Sequence, residues 1–237
     1  MPAANPTSTI VPETSFLNHL IRGSQASWDA YIAHPFVSQL GDGTLPMAAF
    51  RTYLIQDYIF LIHFSRAWAL AAFKAETIDD IRQSTAVLHG LINEEIRLHV
   101  DYCTGFGIHE DEIASAREAT NNMAYTRFVM ERGLAGDLLD LLVALSPCVV
   151  GYGVIGQRLA GQIAGQDKHP YRSWIDMYSG AEYQAVCATA IAQLDRVAQA
   201  RLGASPEQSP RFAQLVQDFD KSCRLEADFW QMGFAES

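Results

Sequence analysis

Apolar residues recur at helical spacing along almost the whole chain, and this periodicity constrains the fold more than any other feature of the sequence. Between Phe16 and Ala33, for example, leucine, isoleucine and aromatic residues return every three or four positions. Proline and glycine interrupt the pattern, and no segment shows the strict apolar–polar alternation of a half-buried strand. The pattern therefore predicts an all-α fold, a helical bundle.

The interruptions indicate where the helices begin and end. We expect helices over residues 16–33, 46–75, 77–103, 111–131, 138–164 and 171–178, then a long helix to residue 202 and a last one to residue 233. The chain contains no internal repeat and no linker rich in Pro, Gly or Ser. We predict a disordered leader over residues 1–12 and a single helical domain over residues 13–237.

Composition excludes several classes of function. The 237 residues are 49% hydrophobic and 19% charged, which is enough apolar material for a sizeable core. The 17 Lys and Arg against 27 Asp and Glu give a net charge of −10, which repels phosphate backbones and anionic membrane surfaces. We therefore expect no nucleic-acid partner and no membrane association. The four cysteines form no Cys-x-x-Cys pair, and a reducing, cytoplasmic compartment is the simpler interpretation.

A charge-free segment over residues 141–157 requires a separate test for membrane insertion. It is slightly shorter than the roughly 20 residues that span a bilayer. It also contains Pro147 and three glycines, and it is bounded by Asp140 and Arg158. We interpret it as a buried core helix, bent near Pro147.

Two carboxylates fall on apolar helix faces. Asp57 lies between Leu54 and Leu61 on the second predicted helix, and Glu226 lies between Cys223 and Phe229 on the last one. Carboxylates are almost never fully buried without a partner. Each is therefore either a member of a structural ion pair or part of a functional site, and the two interpretations are about equally supported.

Cys148 follows Pro147 directly, within the charge-free helix. A free cysteine at such a position is usually a packing residue. The alternative is a reactive thiol, because proline disrupts the helix locally and Tyr152 shares the same helix face one turn later. Cys103, Cys187 and Cys223 have no comparable neighbours, and we interpret them as packing residues.

Glu95 and His99 are four residues apart and could share a metal ion or a hydrogen bond. The di-iron bundle signature is Glu-x-x-His on each of two helices, and this chain has one spacing that is a residue too long and no second copy. We therefore favour a salt-bridge network on the helix. We expect no metal and no cofactor.

Aromatic residues make up 11% of the chain, and several share the faces described above. Most such stripes are only core. Tyrosines beside carboxylates and a cysteine could instead form a slot that stacks a flat ring and binds its edge through hydrogen bonds. The candidate ring-binding residues are Tyr53, Phe60, Tyr125, Tyr152, Tyr178 and Phe229.

The order and spacing of several motifs over about residues 16–235 resemble the TenA family (thiaminase II). The matching segments are His34-Pro35-Phe36, Gly41-Asp42-Gly43-Thr44-Leu45-Pro46, Phe50 with Tyr53, Gln56-Asp57, Leu145-Ser146-Pro147-Cys148 with Tyr152, His169-Pro170-Tyr171 through Trp174-Ile175 to Tyr178, and Glu226-x-x-Phe229-Trp230. The glycine-rich segment alone is fairly specific for this family, and the combination of motifs is strongly specific for it.

The resemblance implies a heme-oxygenase-like helical fold without heme, a homotetramer, and an aminopyrimidine aminohydrolase of thiamine salvage. Its substrate would be 4-amino-5-aminomethyl-2-methylpyrimidine or thiamine, and Cys148 would be the nucleophile. Asp57 and Glu226 match the two site carboxylates. The pocket aromatics of the family match Tyr125, Tyr152, Tyr178 and Phe229.

One position departs from the family pattern. Phe60 stands where the family often has a tyrosine, so the ring can stack but a hydroxyl hydrogen bond is lost. Cys148 places the chain in the cysteine-bearing branch of the family. Two other classes stay open, namely a metal-dependent oxidase on the same fold and a non-catalytic binding or regulatory protein of the thiamine pathway.

Overall fold

The computed structural model describes residues 10–234, and in this range it contains helices and no β-strand. The α-helices are α1 (Phe16–Gly23), α2 (Gln25–Ile32), α3 (Pro35–Asp42), α4 (Met47–Lys74), α5 (Ile78–Gly90), α6 (Ile96–Gly105), α7 (Glu110–Ser115), α8 (Thr120–Ala135), α9 (Leu138–Gln162), α10 (Arg172–Ser179), α11 (Ala181–Leu202) and α12 (Phe212–Met232). A π-helical segment, Leu91–Glu95, joins α5 to α6, and a 3₁₀ helix, Pro206–Gln208, precedes α12. The prediction of an all-α fold is confirmed.

Backbone contacts group the chain into two compact units. The first unit comprises Met1–Leu45 and Leu142–Ala227, and the second comprises Pro46–Leu141 and Asp228–Ser237. The single domain over residues 13–237 stays a prediction. Residues 1–9 of the predicted leader lie outside the described residues, and Val11 is buried.

Several helices differ from the predicted boundaries. The helix predicted over residues 111–131 is divided into α7 and α8 by the non-helical residues 116–119. The helix predicted over residues 16–33 is divided at Ser24 into α1 and α2. Helix α3 was not predicted, because His34-Pro35 was interpreted only as a stop signal. The proline instead occupies the first turn of α3, where its missing N–H costs nothing, and the His34 side chain accepts a hydrogen bond from the Phe36 N–H.

The glycine-rich turn in the first unit connects two distant segments of sequence. Gly43 ends α3 with a φ of 78°, a conformation that favours glycine, and Asp42 Oδ1 accepts a 3.0 Å hydrogen bond from the Thr44 N–H. The Tyr171 hydroxyl donates a 2.5 Å hydrogen bond to the Leu45 carbonyl oxygen. The turn therefore anchors the chain that leads into α10.

Helix α9 has the character of a core helix. It is the one helix among residues 10–234 that is long and apolar enough to cross a membrane, and 89% of its most apolar window is buried. Pro147 lies inside this helix, which continues past it to Gln162.

Candidate active site

The predicted site residues fall into two clusters, one in each compact unit. The first unit holds Cys148, Tyr152, Tyr178 and Glu226, which we call the cysteine cluster. The second unit holds Tyr53, Asp57, Phe60, Tyr125 and Phe229, which we call the aspartate cluster.

The backbone of α9 is adapted to the proline that precedes Cys148. Pro147 has no N–H, so the helix cannot supply a donor to the Val143 carbonyl four residues earlier. The Ser146 hydroxyl donates a 2.9 Å hydrogen bond to that carbonyl oxygen. The Tyr31 hydroxyl donates to the Pro147 carbonyl oxygen at 3.4 Å. Side-chain donors therefore stabilise the segment that carries Cys148.

Cys148 differs from the other cysteines in its exposure. Its side chain is partly accessible, whereas Cys103, Cys187 and Cys223 are buried. Burial raises the pKa of the Cys103 and Cys187 thiols to about 12 and raises the pKa of Cys223 well above its ordinary value. Because the thiolate is the nucleophilic form, these three thiols are poor nucleophiles at neutral pH. Among the four cysteines, Cys148 is therefore the one that solvent or a ligand can reach.

The tyrosines of the cysteine cluster belong to a group of packed rings. Tyr152 lies one turn after Cys148 on α9, and its ring centroid is 4.9 Å from that of Tyr178 on α10. The Tyr178 ring also contacts Trp174 at 4.5 Å and Tyr183 at 4.8 Å. These neighbours restrict the tyrosine rotamers, which helps to preorganise a ring-binding surface.

Glu226 is buried on α12, as the helical pattern predicted, with only 1% of its surface exposed. Cys223 lies one turn earlier on the same helix. Burial raises the pKa of Cys223 first, and the charge of Glu226 raises it further. Glu226 is therefore a buried carboxyl group on the core face of α12.

Asp57 on α4 is the centre of the aspartate cluster. Only 6% of its surface is exposed, and the Tyr53 hydroxyl, one turn earlier, forms a hydrogen bond with its carboxyl group. Burial raises the pKa of Asp57 to about 7, although the Tyr53 bond acts in the opposite direction. Asp57 can therefore exist as an acid or as a carboxylate near neutral pH.

Aromatic rings surround this part of α4. Phe60 stacks on Tyr125 of α8 with a centroid distance of 5.5 Å and an interplanar angle of 20°. Phe60 also contacts Phe229 edge-on at 5.6 Å, and the Tyr53 and Phe229 centroids are 6.3 Å apart. The structure thus brings together all the predicted members of the aspartate cluster.

Two residues outside the predicted site also belong to this cluster. His99 Nδ1 lies 3.6 Å from Asp57 Oδ2. Desolvation and then the charge of Asp57 raise the pKa of Glu95, although its side chain retains solvent-accessible surface that screens part of the effect. The four-residue spacing of this pair was the available signal, but sequence alone could not show that it faces Asp57.

Gln56 was a further omission from the predicted site. Its side-chain amide donates to the Arg117 carbonyl oxygen and accepts from the Ala119 N–H, each at 2.9 Å. The Asn122 side-chain amide donates a 2.8 Å hydrogen bond to the main-chain carbonyl oxygen of Gln56. These bonds hold the extended residues before α8 against α4, which positions Tyr125.

Potential metal ligands are not arranged as a site in the part of the chain that the structure describes. Among residues 10–234, no group of three or more His, Cys, Asp or Glu side chains could hold a metal ion. Asp57 interacts with His99 and with Glu95 as titratable groups.

The amino-acid sequence is similar to those of known proteins. The family described as TENA/THI-4/PQQC matches residues 23–236 of the chain. An aminopyrimidine aminohydrolase of Halalkalibacterium halodurans is 34% identical over 223 residues, which cover 94% of this chain and 96% of that protein.

Solved structures agree with the helical fold. A protein of Silicibacter sp. TM1040, described as a TenA family transcription regulator, is 46% identical with a TM-score of 0.88, and the match covers 92% of this chain and 95% of that one. A Shewanella denitrificans domain described as having a heme oxygenase-like fold is 14% identical with a TM-score of 0.72, over 93% and 92% of the two chains. The predicted heme-oxygenase-like fold is confirmed.

Proposed function

Since the chain belongs to the TENA/THI-4/PQQC family, we propose that it is an aminopyrimidine aminohydrolase of thiamine salvage. It converts 4-amino-5-aminomethyl-2-methylpyrimidine and water to the 5-hydroxymethyl compound and ammonia. It also cleaves thiamine to the same pyrimidine alcohol and the thiazole. The 34% identity to a near-full-length relative named as such an enzyme supports this proposal.

The observation that carries the chemical proposal is the accessible thiol of Cys148 beside the Ser146-Pro147 segment, in a chain whose other cysteines are buried. The Cys148 thiolate adds to an electron-poor carbon of the pyrimidine, so a C–S bond forms and the ring loses its aromaticity. The amine on the methylene carbon takes a proton and leaves as ammonia. Water then adds to the methylene carbon, and the C–S bond breaks to restore the ring and the thiolate.

Glu226 is suited to act as the acid in this sequence. In this proposal the buried Glu226 carboxyl is protonated and donates to a ring nitrogen, which makes the ring more electrophilic. Because the nitrogen gains negative charge as the thiolate adds, this hydrogen bond is stronger in the transition state than in the ground state.

Asp57 and the aromatic residues are proposed to bind and orient the pyrimidine. The Asp57 carboxylate accepts a hydrogen bond from the exocyclic amino group. Tyr125 and Phe229 hold the ring faces, and we assign Tyr53, Phe60, Tyr152 and Tyr178 to substrate binding as well. Such positioning restricts the ring to an orientation in which the thiolate can attack.

A regulatory function is the main alternative, because the Silicibacter relative is described as a transcription regulator. The net charge of −10 makes DNA binding unfavourable, since a DNA-binding surface needs excess positive charge. We therefore favour the hydrolase. The homotetramer, the cytoplasmic location and the single domain over residues 13–237 are part of the same proposal.

The test is a substrate assay on the purified protein with product identification. The wild type should release ammonia and the hydroxymethylpyrimidine from the aminomethylpyrimidine. Cys148→Ser should lose at least about a hundredfold in kcat, because serine is not ionised at neutral pH. Cys187→Ser is the matched control, since a hydroxyl can retain the bond that the Cys187 thiol donates to the Val149 carbonyl oxygen at 3.4 Å.

The outcomes separate the hypotheses. A Cys148→Ser protein as fast as the wild type would exclude the nucleophile. A wild type that binds the pyrimidine but releases no ammonia at micromolar enzyme would support a binding or regulatory protein. Bound metal in the purified protein, without ammonia release, would support the oxidase class.

A further inference from the structure

His99 has an orientation that determines which ring nitrogen carries a proton. Its Nε2 lies 2.8 Å from the Leu54 main-chain carbonyl oxygen. A carbonyl oxygen only accepts hydrogen bonds, so Nε2 must be the protonated nitrogen in this contact. The Tyr58 ring stacks on the imidazole with a centroid distance of 6.5 Å and an interplanar angle of 29°, which restricts rotation of the imidazole.

The other nitrogen of His99 then faces Asp57. Nδ1 is 3.6 Å from Asp57 Oδ2, and each of the two side chains is only 9% exposed. In a neutral imidazole with its proton on Nε2, Nδ1 has a lone pair and no hydrogen. Lone pairs on Nδ1 and on the carboxyl oxygen that face each other in a buried site repel, unless a proton lies on one of these two atoms.

We propose that Asp57 and His99 share one proton, and that His99 is a positioning residue that accepts this proton when a ligand donates a hydrogen bond to Asp57. The transfer breaks the Asp57 O–H bond and forms an N–H bond at His99 Nδ1 with the nitrogen lone pair. The pair gains no net charge, because the carboxylate and the imidazolium form together.

This inference rests on the proposed function, in which the exocyclic amino group of an aminopyrimidine donates to Asp57. A carboxylic acid is a weaker acceptor than a carboxylate for such a donor. His99 therefore allows Asp57 to become a carboxylate without leaving an isolated charge in a buried site. The 3.6 Å contact is longer than a hydrogen bond, and we expect it to shorten on ligand binding.

The pKa directions are consistent with the neutral form of the pair in the free protein. Burial raises the pKa of Asp57 to about 7, and burial lowers the pKa of His99. The titratable groups facing the pair among the described residues are Tyr53 and Tyr58 on α4, Glu95 in the π-helical segment and Cys103 on α6. Burial and then the charge of Asp57 raise the pKa of both Glu95 and Cys103, so these two groups disfavour further negative charge here.

The direct test is ¹⁵N NMR of the histidine ring nitrogens, which does not depend on turnover. Free protein at pH 6, below the Asp57 pKa of about 7, should show the His99 proton on Nε2 and a bare Nδ1. Saturation with 4-amino-5-hydroxymethyl-2-methylpyrimidine should protonate Nδ1 in the wild type and not in Asp57→Asn. A free protein with the proton on Nδ1, or a saturated complex with an unchanged imidazole, would overturn the proposal.

The kinetic test uses His99→Gln, because a glutamine amide can still donate to the Leu54 carbonyl but cannot take a proton. Without an acceptor, Asp57 must ionise alone, and about one tenth is ionised one pH unit below its pKa. At pH 6, kcat/KM should therefore fall about tenfold below the wild type, and the difference should close by pH 9. An equal loss at both pH values would indicate a merely structural role and contradict the proposal.

His63→Gln is the matched control for this variant. His63 also lies on α4 in the second unit, but its partners are Arg66, Glu118 and Arg127. Its pH profile should match that of the wild type. If the wild type binds the pyrimidine without turnover, the proposed function fails, and the NMR experiment still decides whether the proton is shared.

Discussion

A Cβ atom on Gly156 would lie 2.6 Å from the main-chain carbonyl carbon of Tyr178, so α9 and the end of α10 are in direct backbone contact. Real Cβ atoms essentially never approach another heavy atom so closely, and main-chain atoms cannot rotate away as a side chain can. Tyr152 lies one turn before Gly156 on α9. The glycine therefore sets the 4.9 Å contact between the Tyr152 and Tyr178 rings.

Gly156→Ala should displace α10 and its tyrosine. We expect a loss of about 1–3 kcal/mol in the free energy of unfolding, because the added methyl group overpacks a buried contact. The value can be measured by urea denaturation. Gly161→Ala on the same helix is the control, since a Cβ there meets nothing within 4 Å, and it should be neutral or more stable. Equal stability of the two variants would contradict the close approach.

Ser146→Ala should destabilise the segment before Cys148. The change leaves the Val143 carbonyl without the hydroxyl that replaces its helical donor, at a cost of about 1–3 kcal/mol. Thr189→Ala is the matched control. The Thr189 hydroxyl donates to the Ala185 carbonyl oxygen on an exposed part of α11, where the helical donor is also present. Thermal unfolding of both variants checks the difference, and a Ser146→Ala protein as stable as the wild type would refute it.

Asp57→Asn should change how stability depends on pH. The Asp57 pKa is about 7 in the folded protein and about 3.8 in the unfolded chain, so the folded state binds more protons between these values. Stability from this group therefore falls as pH rises from about 4 to 7. Asparagine removes the cost of the buried charge, so the variant should gain up to about 4 kcal/mol at pH 8 relative to pH 4.

Urea denaturation at pH 4, 6 and 8 measures this linkage. The exposed Asp79→Asn variant is the control and should follow the wild type at every pH. A constant difference between Asp57→Asn and the wild type across this range would show that Asp57 does not titrate as inferred. The variant should also bind the pyrimidine more weakly, which separates the gain in stability from the loss of function.

Phe60→Leu should weaken binding of the pyrimidine. Leucine retains apolar volume but loses the stacked contact with Tyr125, and an aromatic pair contributes about 0.5–1.5 kcal/mol. We expect KM to rise about 2–10-fold with a smaller change in kcat. Phe73→Leu is the control, because Phe73 is 84% exposed on the same helix. A larger effect of Phe73→Leu than of Phe60→Leu would be inconsistent with a ring-binding role.

Local patterns predicted much of the fold. The second helix was expected over residues 46–75 and is Met47–Lys74, because apolar periodicity and the preceding proline act locally. Helix α3 was missed because Pro35 both ends one helix and begins another. The π-helical segment Leu91–Glu95 was missed as well, since a single extra residue in a turn leaves little trace in an apolar pattern.

The chemical identity of the candidate site could be read from the sequence, because a carboxylate on an apolar helix face and a cysteine after a helix proline are visible without any coordinates. The residues that contact them could not be predicted from the sequence. That His99 directs Nδ1 to Asp57 depends on α4 and α6 packing at one register, and that Cys148 is accessible while three thiols are buried depends on every neighbouring helix. Side-chain periodicity determines which face of a helix is buried, but the contacts across that face arise only when distant segments pack together.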